Sequence, residues 1–202
     1  LDNHRERYLS PDETATLLDC VAASDNPLLQ YIIRLLILTG ARKREVLDCK
    51  YEDFDLTRML WRIPVTKAGK PRHVPITDAV VALLNDIPRL SNSEFVFPNP
   101  KTGRPFVSIF RSWDTARCEA DLSDVRIHDL RHSFASFLVN AGRSLYEVQR
   151  LLGHTQIKTT QRYAHLTQDT LREAANAAAA HIIPISVSQP ARKPTPANNP
   201  AV

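Results

Sequence analysis

The sequence predicts an α+β fold, mostly helical, with a small three-stranded antiparallel sheet. Three observations predict it. Apolar residues recur at three- and four-residue intervals along most of the chain, the mark of helices that each bury one face. Between Tyr51 and Ile76 that period stops, and Met59-Leu60-Trp61-Arg62-Ile63 alternates as a strand does. The chain has only five glycines, and three of them, Gly40, Gly142 and Gly153, stand where a helical pattern ends.

The elements follow in order. Residues 1–7 are polar and expected to fray. Ser10-Pro11-Asp12-Glu13 opens a helix, with Ser capping, Pro at the first position and Glu13 completing a capping box; it runs to about Ala23. Asn26-Pro27 opens the next, apolar on most faces from Leu28 to Leu38, hence central and buried, and ending at Thr39-Gly40. Phe54 to Leu56, Met59 to Ile63 and Arg72 to Ile76 supply the three strands, with Lys67-Ala68-Gly69-Lys70 at a hairpin tip. Thr77 caps a helix through about Ile87, Phe95 to Pro98 is a short extended segment, and Lys101 to Pro105 is a polar turn. Val107 to Ala120 is amphipathic, with Ile109, Phe110, Trp113, Ala116 and Ala120 mostly inward.

Ile127 to Ala141 is a helix on its Leu130, Phe134, Phe137, Leu138, Ala141 stripe, closed by Gly142. That stripe leaves His128 well off it and Arg131 on its flank. A short helix, Leu145 to Leu152, stops at Gly153 and holds His154 at its end, and a third helix carries Tyr163. Asp169 to Ala180 reads as an Ala-rich helix with little apolar bulk, and from Pro184 onward five of the 14 prolines fall in 19 residues, a disordered tail.

At 202 residues the chain can bury one sound core, and 43% hydrophobic content is ordinary for a globular protein. A net charge of +4 permits a nucleic-acid partner without requiring one. Three scattered cysteines give neither a disulfide framework nor metal spacing, and point to a reducing cytosol. The longest apolar run, Tyr31 to Ala41, is interrupted by Arg34 and too short to span a bilayer. No signal peptide opens the chain, and its start at Leu1 suggests a fragment of a longer protein.

The polar residues carry the functional reading. His128, Arg131, His154 and Tyr163 together can do phosphoryl transfer on a nucleic-acid backbone: arginine neutralises phosphate, imidazoles bond or move protons, and tyrosine attacks. Arg42, at the end of the most buried helix, suits a forked phosphate clamp, although Arg42, Lys43 and Arg44 by themselves read as a solvated basic face. Glu45, one turn on, is placed to orient Arg42 or a neighbour. His128 and His132 are four apart, but Asp129 stands where a zinc protease has glutamate and no third ligand is evident, so no metal or other cofactor is expected.

The motifs His128-Asp129-Leu130-Arg131-His132-Ser133-Phe134-Ala135, Leu151-Leu152-Gly153-His154-Thr155 and Arg162-Tyr163-Ala164-His165 follow an upstream Thr39-Gly40-Ala41-Arg42-Lys43-Arg44-Glu45. In that order, over roughly Tyr8 to Leu171, they resemble the tyrosine recombinases of the phage-integrase family. The resemblance implies a DNA breaking-rejoining catalytic fold over residues 1–181, with 182–202 a tail and the family's N-terminal DNA-binding domain absent from this chain. It implies site-specific recombination through a 3′-phosphotyrosyl intermediate, as in integration or excision of a phage or genomic island. Tyr163 is then the nucleophile, Arg42 and Arg131 hold the scissile phosphate, His128 assists as base or hydrogen-bond partner, and His154 bonds the phosphate. Lys67 is the general acid, with Lys70 the alternative, because spacing alone cannot separate two lysines on one loop. Glu45 and His132 support the site, and Lys43, Arg44, Lys70, Arg72 and Arg162 contact DNA. The partners implied are double-stranded attachment sites, further copies of the chain (a tetramer on DNA, a monomer when free) and DNA-bending accessory proteins, with no membrane; the setting is the bacterial cytoplasm. Two rivals share these residues: relaxation of supercoils by a type IB topoisomerase, and a non-enzymatic DNA-binding regulator.

Overall fold

Ser10 starts the first helix as expected. Its hydroxyl accepts from Glu13 N at 3.1 Å while Glu13 Oε2 accepts from Ser10 N at 2.8 Å, so α1 (Pro11–Ala22) opens on a reciprocal cap. This is a computed structural model that describes residues 7–64, 71–90, 93–154, 156 and 158–167, the side chains of His165 and Thr167 excepted. The described residues all fall in the unit that ends at Thr167.

The central helix is α2 (Leu29–Thr39), which buries Leu29, Ile32, Ile33, Leu35 and Leu36 and packs against α1 and three later helices. Gly40 ends it in a left-handed turn, φ +60°, its N–H bonded to Leu36 O at 2.9 Å. A Cβ there would stand 2.3 Å from Phe134 Cδ1, so glycine serves two needs at once: the turn and the close approach of the helix that carries Phe134. Arg42 follows as the residue capping α3 (Lys43–Leu47).

The three strands pair in sequence order, β1 (Phe54–Asp55), β2 (Leu60–Ile63) and β3 (Arg72–Pro75), both pairs antiparallel. Trp61 stacks on its cross-strand partner Phe54 with ring centroids 5.1 Å apart. The hairpin tip Lys67 to Lys70 lies outside the described residues, as do the Asp169 to Ala180 segment and the chain from Pro184 onward. Next come α4 (Asp78–Asp86) and α5 (Phe110–Glu119). The segment expected to be extended, Phe95 to Pro98, makes one isolated bridge at each end, to Lys50 and to Pro105. On α5 the expectation for Phe110 is corrected. Ile109, Trp113, Ala116 and Ala120 are buried, but Phe110 is 65% exposed, because it opens the helix one position away from the buried Ile109 and turns outward.

α6 (Asp129–Asn140) and α7 (Leu145–Leu152) form where the periodicity places them. Gly142, φ +76°, closes α6, with Gly142 N bonded to Val139 O and Arg143 N to Leu138 O. The stripe on α6 is broader than the pattern suggested. Leu130 joins the main core, while Ala135 and Val139 form a second cluster with Val148, Leu152 and Tyr163. A helix packed on two sides buries small residues, and Ser133 and Ser136 are fully covered while Phe134, Phe137 and Leu138 are only half-buried. Tyr163 is not on a helix. It sits in the turn between α8 (Lys158–Gln161) and a 3₁₀ turn, Ala164–Thr167, because the helix carrying it in expectation stops after one turn.

Candidate active site

Two groups of side chains meet where α2, α3 and β3 approach α6, α7 and the Tyr163 turn. The upstream group is built on Glu45. Its carboxylate accepts from Arg42 N and Arg42 Nη1, both at 2.8 Å, and from Arg72 Nη2 at 2.8 Å. The Glu45 side chain is only 6% exposed, against 12% for Arg72 and 34% for Arg42. Burial alone would raise the Glu45 carboxyl, but the Arg72 and Arg42 bonds outweigh it and hold the group below its ordinary value. Arg72 also donates through Nη1 to Leu151 O at 2.9 Å. Gly153 makes room for it: a Cβ there would stand 2.8 Å from Arg72 Cδ, and the residue holds φ +66°.

The downstream group is built on Arg131. Sequence periodicity put it on the flank of α6; it is 4% exposed. Nη1 donates to Gly40 O and Nη2 to Leu152 O, each at 2.6 Å. Those oxygens cap the C-terminal ends of α2 and α7, where unpaired carbonyls carry partial negative charge. Burial, then Arg42 and Arg72, push the guanidinium down to about 9, so it stays cationic at neutral pH.

Three imidazoles surround this cation. His128 caps α6 and lies edge-on to His132, with ring centroids 4.9 Å apart. His132 Nδ1 is 2.6 Å from Tyr163 Oη. His154, just past the left-handed Gly153, has Nδ1 2.9 Å from Thr160 Oγ1. All three are held below the ordinary imidazole range. His132 falls to about 4 through burial first and His128 next, and His154 to about 4 through burial and then Arg131. His128 moves the same way, by burial of the ring and then Arg131, but as an exposed residue its shift is the most screened by solvent. Tyr163 is 5% exposed, and burial raises its hydroxyl above the ordinary value against the opposing pull of Arg162 and Arg131.

The upstream and downstream groups share one wall. Arg42, Glu45 and His128 line an open cleft of about 630 Å³, together with Cys49, Trp61 and Ile63. Of the residues expected in the site, Arg42, Glu45, His128, Arg131, His132, His154 and Tyr163 lie within these two groups, and Lys67 and Lys70 fall outside the described residues. Arg72, expected to contact DNA, instead turns inward to Glu45 and the end of α7, because its alternating position on β3 faces that helix end. Arg44, also expected on DNA, ion-pairs with Asp48 and donates to Phe106 O at 2.8 Å, while half of its side chain stays exposed. Lys43 is exposed, and Arg162 half-buried beside Tyr163. Missed altogether were Thr160, which holds His154, and the carbonyls of Gly40, Leu151 and Leu152. Backbone acceptors leave no trace in residue types, although the glycines at positions 40 and 153 mark the helix ends that expose them. Among the described residues no three His, Cys, Asp or Glu side chains cluster to hold a metal ion, and no helix is long and apolar enough to cross a membrane.

Comparison with known proteins adds independent observations. The model of the phage integrase family matches residues 7–170. A tyrosine recombinase of Thermosipho africanus is 32% identical over 161 residues, 79% of this chain and 57% of the relative. Tyrosine recombinase XerA of Saccharolobus solfataricus is 36% identical over 141 residues, 70% of this chain and 47% of the relative. The chain thus spans less than two thirds of these curated relatives. Among solved structures, the catalytic domain of bacteriophage HP1 integrase superposes with a TM-score of 0.67 at 28% identity, covering 92% of this chain and 98% of that one. A XerA recombinase crystal structure gives 0.68 at 29% identity, over 87% and 66%.

Proposed function

This chain belongs to the phage integrase family and has the fold of its catalytic domains, and from that premise we propose that it cuts and rejoins DNA strands in site-specific recombination. Tyr163 Oη attacks the scissile phosphorus, a 3′-phosphotyrosyl link forms, and the 5′ oxygen leaves. The link conserves the bond energy of the phosphodiester, so the reverse attack by a 5′ hydroxyl rejoins a strand without ATP. Arg42 and Arg131 hold the non-bridging oxygens, and His128 and His154 donate further bonds to the phosphate. An ammonium from Lys67, or from Lys70, protonates the leaving oxygen. The observation that carries this reading is the placement of the Tyr163 hydroxyl, 2.6 Å from an imidazole and within the field of Arg131 and Arg162.

The substrate is double-stranded DNA, and integration or excision of a phage or genomic island is the setting. A XerH recombinase, 26% identical with a TM-score of 0.66, is described as bound to a palindromic difH substrate. A palindrome offers two equal half-sites, which supports two copies of this chain per duplex and four when two duplexes are joined. Residues 1–181 form the catalytic part, a separate DNA-binding domain belongs to the whole protein, and the work is done in the bacterial cytoplasm. The chain alone then binds DNA weakly, with affinity falling steeply with salt. The test is covalent capture: nicked duplexes from a randomised pool are incubated with the protein, and SDS-resistant adducts are recovered. Wild type yields an adduct on Tyr163 and Tyr163→Phe yields none; an adduct formed equally by Tyr163→Phe overturns the reading.

A further inference from the structure

A tyrosine hydroxyl must shed its proton as it attacks, and among the described residues three imidazoles lie near Tyr163. They are not equivalent. His154 Nδ1 is engaged with Thr160 Oγ1. His128 meets the edge of His132 rather than the tyrosine. His132 alone among the described imidazoles bonds Tyr163 Oη, at 2.6 Å, with its ring tilted 52° to the phenol. Both partners are held in place. His132 rides on α6, one position beyond the anchored Arg131, and Tyr163 is packed into the Ala135, Val139, Val148 and Leu152 cluster.

We propose that His132 is a catalytic residue that accepts the Tyr163 proton through Nδ1 during cleavage and returns it during rejoining. The inference rests on Tyr163 being the nucleophile proposed above. As the Oη–P bond forms and the bond from phosphorus to the 5′ oxygen breaks, the Oη proton passes to Nδ1. The 5′ oxygen takes a different proton, from the lysine ammonium. In the reverse step the 5′ hydroxyl gives its proton back to that lysine's amine, and the imidazolium reprotonates Oη, so neither proton is lost.

The charges around His132 set the timing. It faces His128, Asp129 and Arg131 on its own helix, Arg162 and Tyr163 on the following turn, and His154 beyond the end of α7. In that largely cationic setting the ring is neutral at rest, which keeps a lone pair available on one nitrogen. Transfer to so weak a base does not run ahead of the chemistry. A phosphate entering between Arg42 and Arg131 offsets the cationic field, raises the basicity of His132 and couples proton transfer to attack.

Two measurements on the whole chain test this. The first is the tautomer of His132, read from long-range nitrogen–proton couplings in the free protein. The proposal expects Nδ1 unprotonated and Nε2 carrying the hydrogen; a proton resident on Nδ1 overturns it, and this reading needs no variant to fold. The second compares wild type, His132→Asn and Tyr163→Phe on the captured nicked duplex, in its ordinary form and with sulfur replacing the bridging 5′ oxygen, which leaves without an acid. Asparagine still accepts a hydrogen bond from Oη but takes no proton. Adduct formation by His132→Asn should be about 100-fold slower on both substrates, with DNA affinity kept and with a rate that climbs with pH. Full rescue by sulfur would assign His132 to the leaving group, and a wild-type rate and pH profile would make it structural; either result overturns the proposal while an inactive Tyr163→Phe leaves the underlying reading intact. An active Tyr163→Phe would sink both.

Discussion

The upstream and downstream halves of the site both hold an arginine still, and they do it by opposite means. Upstream, Arg42 and Arg72 share the carboxylate of Glu45, so much of their charge is cancelled where it stands. Downstream, Arg131 is held by the carbonyls of Gly40 and Leu152 at the ends of two helices. Each helix end brings only partial charge, about half an elementary unit spread over several carbonyls, and no formal counter-ion. Arg131 is thus fixed without a carboxylate in contact, its charge is still felt at His154, and the half that fixes it this way is the one in which Tyr163, His132 and His154 sit. The price is electrostatic: the uncancelled charge contributes to keeping two imidazoles near 4.

The strongest way to break this contrast is Arg131→Met. It leaves two buried carbonyls without donors, and urea unfolding should show a loss on the order of 3 kcal/mol. DNA affinity should fall as well, with the salt slope shallower by about one unit. Glu45→Ala attacks the other half. It strands Arg72 and frees Arg42, and because Arg42 is one-third exposed the expected cost is smaller, about 2 kcal/mol. DNA affinity should not fall with it, since the site gains positive charge; a parallel loss of stability and affinity in both variants would erase the difference between the halves.

Acid sharpens the comparison further. His132 and His154 titrate at 6.5 when unfolded and about 4 when folded, so between those values the unfolded chain binds more protons. Stability is therefore full above about 6.5 and declines as pH falls toward 4. Melting temperatures across this range should show the slope, and His154→Asn should flatten it. The smallest effect belongs to Arg44→Ala. Its pair with Asp48 is half-exposed, so stability should change by less than about 0.5 kcal/mol in thermal unfolding.

The two halves were unequally legible in the sequence. Glu45 could be named as an orienting partner of Arg42 because both ends of that contact are side chains one helical turn apart. The strands and most helix ends were readable for a similar reason: alternation, Ser10 and the glycines are local signals. Arg131 misled because its environment is made of backbone oxygens brought from 91 and 21 residues away. Periodicity sees a charged residue beside an apolar stripe and cannot see that a helix end waits over it. Tyr163 is expected on a helix, but α8 stops at Gln161 and the turn is what lowers the ring into the Val148 and Leu152 cluster. For Arg72 the sequence suggests a DNA contact and gives no sign of its bond to Glu45, because nothing local to β3 announces a partner 27 residues earlier.

One further consequence follows from the way Arg131 is seated. Its guanidinium ties the ends of α2 and α7 to α6, and in the function proposed above it is also the group offered to a phosphate. A lysine there offers one nitrogen in place of a two-nitrogen fork, and an apolar residue donates to neither carbonyl. On that proposal, truncating this side chain changes grip on DNA and integrity of the fold together. Residues such as Arg44, whose half-exposed pair with Asp48 contributes little to the fold, are where affinity can be adjusted at lower cost to stability.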